Sequence, residues 1–203
     1  MIEVVIATKN DKKLRELKRY LKSVKARIVS LEDMPHAPGT REDKSTFKGN
    51  AIKKAVTISK FTKGVVLADD SGLCVDALDG QPGVKSARFA GRDKKDHDNN
   101  AKLLDMMKRV PSGKRTARFV CAVAVADKGS IVKVIEEYCD GRISDAARGR
   151  HGFGYDPLFL IPKYKKTFGQ LGLKVKDKMS HRSKALKKAR AFLKTYLYRV
   201  HNV

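Results

Sequence analysis

No tryptophan occurs in this chain, and cysteine is nearly as scarce. Cys74, Cys121 and Cys139 stand far apart, and three is an odd count, so a disulfide frame and a cysteine metal site are both excluded. The three thiols read as small apolar core residues. No window approaches the roughly 18 apolar residues of a membrane span. Met1 to Ala7 is too short for a signal sequence and has no cleavage pattern. A soluble, cytoplasmic protein with no membrane partner is therefore expected. Internal repeats, low-complexity tracts and a G-x-x-x-x-G-K-S/T phosphate loop are also missing. A single domain over residues 1–203 is expected, with room for two lobes. Acids are short too: 22 Asp and Glu face 45 Lys and Arg, a formal charge of +23. Such a field draws in polyanions, either nucleic acid or a small phosphorylated substrate. The basic residues are spread along the chain, which is also the pattern of solvated lysine-rich faces.

The residues that are present alternate between strand and helix patterns. Ile2 to Ala7 is apolar and β-rich, a buried first strand. Asp11 to Val24 puts Leu14, Leu17, Leu21 and Val24 on one face of an amphipathic helix. Ala26 to Leu31 reads as a second strand, and residues 33–45, with Pro35, Pro38 and Gly39, as a loop. Helical spacing returns over Thr46 to Phe61 and again over Asp93 to Val110, where Pro111-Ser-Gly113 stops it. Val65 to Ala68 is a short buried strand that ends at Asp69 and Asp70. Ala117 to Ala126 and Ile131 to Tyr138 form a hairpin around Asp127-Lys-Gly-Ser130. Residues 141–156 are loop-like. Ser180 to Val200 is a closing helix capped by Ser180, with Ala185, Ala189, Phe192, Leu193 and Tyr196 as its apolar stripe. The class is α/β with a mixed sheet.

Five segments carry candidate chemistry. Asp69 and Asp70, followed by Ser71 and Gly72, place carboxylates where a hard cation finds oxygen ligands and where a second acid can activate a water. The same tetrapeptide suits an ordinary solvated turn. Thr8, Asn10 and Lys13 line a polar turn at a helix N-terminus, which offers N–H groups and a charge to an anion; an N-cap at Asn10 or Asp11 explains them equally. Glu42 lies in a loop before a helix on which Asn50 and Lys54 share a face, with Lys54 in reach of a phosphate. In Gly152-Phe-Gly-Tyr-Asp-Pro157, the two glycines allow close backbone approach, Phe153 and Tyr155 supply flat faces for a base, and Asp156 an acceptor. A turn with two core aromatics is the alternative. Finally, Lys176 and Ser180-His-Arg182 supply donors for phosphates or for base carbonyls, unless His181 is simply satisfied at the helix start.

Taken in order, these segments resemble the inosine triphosphate pyrophosphatases, hydrolases of non-standard purine nucleoside triphosphates. Thr8-Lys-Asn-Asp-Lys-Lys13 is similar to the family's T-x-N-x-x-K opening and Thr46-Phe-Lys-Gly-Asn-Ala51 to its T-F-x-x-N-A. Ala68-Asp-Asp-Ser-Gly-Leu73, Pro82-Gly-Val84 and Ser86-Ala-Arg88 match its central signature. Gly152 to Pro157 and Ser180 to Arg182 match its last two motifs. The resemblance covers nearly the whole chain, and only the strong positive charge departs from it.

The resemblance implies a two-lobed α/β fold around a long mixed β-sheet with flanking helices, the nucleotide in the cleft between lobes, a homodimer and Mg²⁺. It implies hydrolysis of ITP, dITP or XTP between the α- and β-phosphates. Glu42, Asp69 and Asp70 would hold the metal, and Asp70 would be the general base. Lys13 and Lys54 would hold phosphates, with Thr8, Asn10 and Ser71 adding hydrogen bonds. Phe153, Gly154, Tyr155, Asp156, Lys176, His181 and Arg182 would bind the base end. Guanine must be excluded by its 2-amino group, and no residue is assigned to that task. A pyrophosphatase for a modified pyrimidine nucleotide is a rival reading. Another is a basic nucleic-acid-binding protein, which leaves Glu42, Asp69 and Asp70 unexplained; non-specific nucleic-acid binding fits better as a secondary property.

Overall fold

The computed structural model describes residues 2–91 and 95–201. Seven strands form one sheet in the order β2-β1-β3-β4-β5-β6-β7. The strands are β1 (Glu3–Ile6), β2 (Arg27–Ser30), β3 (Val65–Val75), β4 (Thr116–Asp127), β5 (Ser130–Ile143), β6 (Phe159–Ile161) and β7 (Lys166–Thr167). Five helices accompany them: α1 (Asp11–Leu21), α2 (Phe47–Ser59), α3 (Asp96–Met107), α4 (Leu173–Met179) and α5 (His181–His201). β1 pairs in parallel with β2 and with β3, while β5–β6 and β6–β7 are antiparallel. The sheet is mixed and the class is α/β, as the alternation of patterns predicts.

The chain clusters into two compact units. The first comprises the chain up to Asp70, Cys121–Glu137 and the chain from Lys184. The leucine stripe of α1 packs there with Val4 and Ile6 of β1, Val65 and Leu67 of β3, and Ala185, Ala189 and Leu193 of α5. The second unit comprises Ser71–Val120 and Tyr138–Ser183, and its core holds Leu73, Leu103, Met107, Phe119, Phe159 and Phe168.

Local chemistry explains most boundaries. Asn10 caps α1 by accepting a hydrogen bond from Lys13 N–H at 3.1 Å, and Thr46 caps α2 through Gly49 N–H at 3.0 Å. Ser180 Oγ accepts from Ser183 N–H at 3.1 Å at the start of α5. The β4–β5 turn puts Lys128 at φ 48° and Gly129 at φ 79°, the paired positive angles of a type I′ hairpin. The expected start of the third helix at Asp93 lies outside the described residues; α3 is described from Asp96.

One boundary differs in a way that matters. β3 does not end at the acids. It runs through Asp69, Asp70, Ser71 and Gly72 to Val75, with both aspartates buried. Leu73 and Val75 belong to the second unit's core and Leu67 to the first's, so apolar β-formers on both sides keep the four polar residues extended. The expected turn is therefore a strand interior, which fixes the acids far more firmly than a solvated turn would.

Candidate active site

In the first unit, two lysines link three carboxylates. Asp69 and Asp70 project from β3 and are only 1% and 5% exposed. Lys13, in the first turn of α1, reaches Asp69 Oδ2 at 3.0 Å. Lys54 on α2 lies 2.9 Å from Glu42 Oε1 and 3.9 Å from Asp70 Oδ1, and donates to the Asp69 carbonyl oxygen. Asn50, one helical turn before Lys54, donates from Nδ2 to Asp70 Oδ2 at 2.9 Å, while its Oδ1 accepts from Lys44 N–H. The amide is thus held at both ends and fixes the carboxylate plane. Thr8 Oγ1 accepts from Asn10 N–H at 3.2 Å. The capping explanation of the 8–13 turn holds for Asn10, and it leaves the Lys13 ammonium directed at Asp69.

Burial pushes the Asp70 carboxyl above the ordinary carboxylate value; Lys54 and Lys13 pull it back, Glu42 adds to the rise, and the Asn50 hydrogen bond opposes it. Burial alone would lower the Lys54 ammonium, but Asp69, Asp70 and Glu42 together outweigh it and hold the lysine above its usual value. Lys54 is therefore charged.

The second unit gathers a different set. Phe153 is flanked by cations: Lys176 Nζ lies 5.0 Å and the Arg182 guanidinium 5.3 Å from its ring centre. Arg182, at the start of α5, donates to Ser71 Oγ at 2.7 Å. His181 is 3% exposed and stacks on Phe119, with ring centres 4.6 Å apart and planes within 12°. Lys176 and Asp156 form a buried ion pair. Burial raises the Asp156 carboxyl, opposed by Lys176, by Phe153 N–H and by Arg182. Asp156 Oδ2 also accepts from Phe153 N–H at 2.8 Å, so the acid holds the loop that carries the ring. Gly152, at φ +80°, is obligatory: a Cβ there would stand 2.0 Å from Asp156 Oδ2.

Two residues read from the sequence as ligand contacts also have partners within the protein. Tyr155 is 4% exposed within the second core and its hydroxyl donates to the Ser86 carbonyl oxygen at 2.9 Å, so its ring is not an open face for a base. Burial accordingly raises its phenol well above the ordinary value. Gly154 spends its N–H on Asp96 and its carbonyl oxygen on Asn100. Asp96, Asn99 and Asn100 were not legible as site-forming residues. Their signal was the Asn99-Asn100 pair inside a helical pattern, since asparagine is a poor helix former and needs another reason to be there.

These motifs, in this order and on these elements, are those of a known family. The sequence profile of the Ham1 family matches residues 4–192. The chain belongs to the Ham1 family. The dITP/XTP pyrophosphatase of Desulforamulus reducens is 48% identical over 192 residues, covering 95% of this chain and 96% of that protein. The dITP/XTP pyrophosphatase of Geobacillus kaustophilus is 51% identical over 188 residues, with 93% and 92% coverage. Among solved Ham1 structures, the Staphylococcus aureus protein superposes with a TM-score of 0.86 at 37% identity, covering 96% of this chain and 99% of that one. The HAM1 protein of Coxiella burnetii superposes with a TM-score of 0.88 at 33% identity, with 96% and 100% coverage. Ham1 membership thus rests on sequence and fold together.

The dITP and XTP for which these relatives are named are triphosphates, whose charge calls for a divalent cation. Among the described residues, no three His, Cys, Asp or Glu side chains come together as a ready metal cage. Mg²⁺ does not require one: it takes one or two carboxylates plus waters and phosphate oxygens. The donor set fits it. Asp69 and Asp70 offer hard oxygens from a rigid strand, and Glu42 offers another from a loop. Lys13 and Lys54 are paired with these acids.

Proposed function

We propose that this chain hydrolyses the non-standard purine nucleoside triphosphates ITP, dITP and XTP to the monophosphate and pyrophosphate, removing them from the nucleotide pool. The observation that carries the reading is the setting of Asp70: a buried carboxylate on a rigid strand, oriented by Asn50 and flanked by Lys54. A carboxyl raised by burial is a better proton acceptor than an exposed one. Asp70 takes a proton from the water that attacks the α-phosphorus. The bond from that phosphorus to the bridging oxygen breaks, and pyrophosphate leaves. Lys13 and Lys54 hold the phosphates, with hydrogen bonds from Thr8, Asn10 and Ser71. Glu42, Asp69 and Asp70 would hold Mg²⁺, which when bound neutralises phosphate charge and stabilises the leaving group. The test is product identity: ITP with Mg²⁺ yields IMP and pyrophosphate, whereas IDP and inorganic phosphate would overturn the assignment.

Selection falls to the second set. Hypoxanthine and xanthine carry an acceptor oxygen at purine position 6, where adenine carries an amino donor. Arg182 and His181 supply donors, Phe153 the stacking face, and Lys176 and Asp156 support it. Adenine would leave buried donors unpaired. Arg182→Ala is expected to narrow the ratio of kcat/KM for ITP over ATP by about 10- to 100-fold, the range for a hydrogen bond from a charged group. An unaltered ratio would assign selection to other residues. The resemblance extends to a homodimer acting in the cytoplasm. No helix among the described residues is long and apolar enough to cross a membrane.

A further inference from the structure

The loop that carries Phe153 is not held by its own motif alone. Two side chains of α3, one helical turn apart, take the neighbouring peptide groups from one side. Asp96 Oδ2 accepts from Gly154 N–H at 2.9 Å, and Asn100 Nδ2 donates to the Gly154 carbonyl oxygen at 3.0 Å. Residues i and i+4 share a helix face, so the spacing lets both reach a single glycine. Gly154 stands at φ +61°, a conformation that glycine reaches at no steric cost but also leaves readily. Holding both of its hydrogen-bonding groups removes that freedom.

Both α3 side chains reach out of the helix to the Gly154 loop. Asp96 stands at the first helical position, next to the N-cap residue Lys95, whose side chain makes no capping hydrogen bond. Only the donor end of Asn100 is used: its Oδ1 is buried without a hydrogen-bond partner among the described residues. An asparagine with a buried idle acceptor is costly, which points to the Gly154 contact as the reason for it. The next position does the same for a second loop. Asn99 accepts from Ala90 N–H at 2.7 Å and donates to the Ala87 carbonyl oxygen, while Lys102 donates to the Phe89 carbonyl oxygen at 2.7 Å. Tyr155 then ties the two loops together through Ser86.

We infer that Asp96 and Asn100 are positioning residues for purine recognition: by clamping the Gly154 peptide they set the plane of Phe153 against Lys176 and Arg182. The inference rests on the proposed pyrophosphatase reading. The clamp touches the base end and none of the phosphate-handling groups, so its loss must separate the two products. Asn100→Ala is expected to weaken IMP binding between about two- and ten-fold, the range for one neutral hydrogen bond, and Asp96→Ala more strongly. Pyrophosphate binding with Mg²⁺ should match wild type in both. KM for ITP should rise with kcat nearly unchanged. Asp96→Asn keeps an acceptor for the Gly154 N–H and should recover most of the IMP affinity lost in Asp96→Ala.

Titration calorimetry with IMP and with pyrophosphate, alongside steady-state kinetics and a thermal melt, makes the test. Selective loss of IMP affinity supports the clamp. Equal loss of both products, or a lower melting temperature with unchanged KM, would reduce the pair to fold support and overturn it. Wild-type IMP affinity in Asp96→Ala would also overturn it. If the wild-type protein binds neither product and leaves ITP intact, the functional reading fails, and the clamp's role in recognition fails with it.

Discussion

Asp70→Asn is expected to lower kcat for ITP hydrolysis by about 10²–10⁴, the worth of a positioned general base, while ITP still binds. The substitution is nearly isosteric, and Asn50 stays in place to meet the new amide. Lys54 keeps Glu42 and the Asp69 carbonyl oxygen as partners, so no buried cation is stranded. Linkage gives a second readout. Burial holds the folded Asp70 carboxyl above 3.8, its ordinary value. The folded state therefore binds this proton more tightly than the unfolded chain, and that stabilisation is lost as pH rises through the folded value. At neutral pH the ionised side chain opposes folding, so Asp70→Asn should melt no lower than wild type. Near wild-type turnover would refute the base assignment, and a lower melting temperature would refute the account of its burial.

The largest stability effect is expected at Lys176. Its side chain is 6% exposed and that of Asp156 is 2% exposed, and they pair directly. Lys176→Met removes the cation but leaves the acid buried; the Phe153 N–H and Arg182 compensate only in part. Breaking such a pair from one side costs about 3–5 kcal/mol. For a chain of this length that is a fall of roughly 6–20 °C in melting temperature. The deficit should shrink at acid pH, because a folded carboxyl raised further by the loss of its partner is relieved by protonation. Adding Asp156→Asn should restore much of the stability, since the amide needs no counter-charge and can still accept from Phe153 N–H. IMP binding should weaken in both variants through the lost cation over Phe153. A Lys176→Met protein as stable as wild type at neutral pH would mean that Asp156 is held by other groups.

The elements most legible in the sequence were those with caps and long periodic faces. The leucine spacing and the cap offered at Asn10 or Asp11 announced α1, helical spacing from Thr46 announced α2, and Asp127-Lys-Gly-Ser130 announced the β4–β5 hairpin. β6, β7 and α4 span three, two and seven residues, too short for a periodic signal, and no element is read there from the sequence. Asp69-Asp70-Ser71-Gly72 read as a turn because each residue favours one locally. Packing on both sides overrode that preference, and buried partners made the unfavourable positions tenable. The charged members of the site were legible from residue type and motif order. What escaped was the scaffold: the Asn50 hydrogen bond to Asp70, the α3 clamp on Gly154, and the burial of Tyr155. Those contacts join residues far apart in the chain, and only the fold brings them together.

The central claim is tested most directly by pyrophosphate release with Mg²⁺ from ITP, dITP, XTP, GTP, ATP and dTTP at matched concentration. The account predicts rapid release from ITP, dITP and XTP and little from the other three. Equal release from ATP or dTTP would contradict the base selection assigned to Arg182 and His181, and no release from any of the six would contradict the enzymatic reading itself.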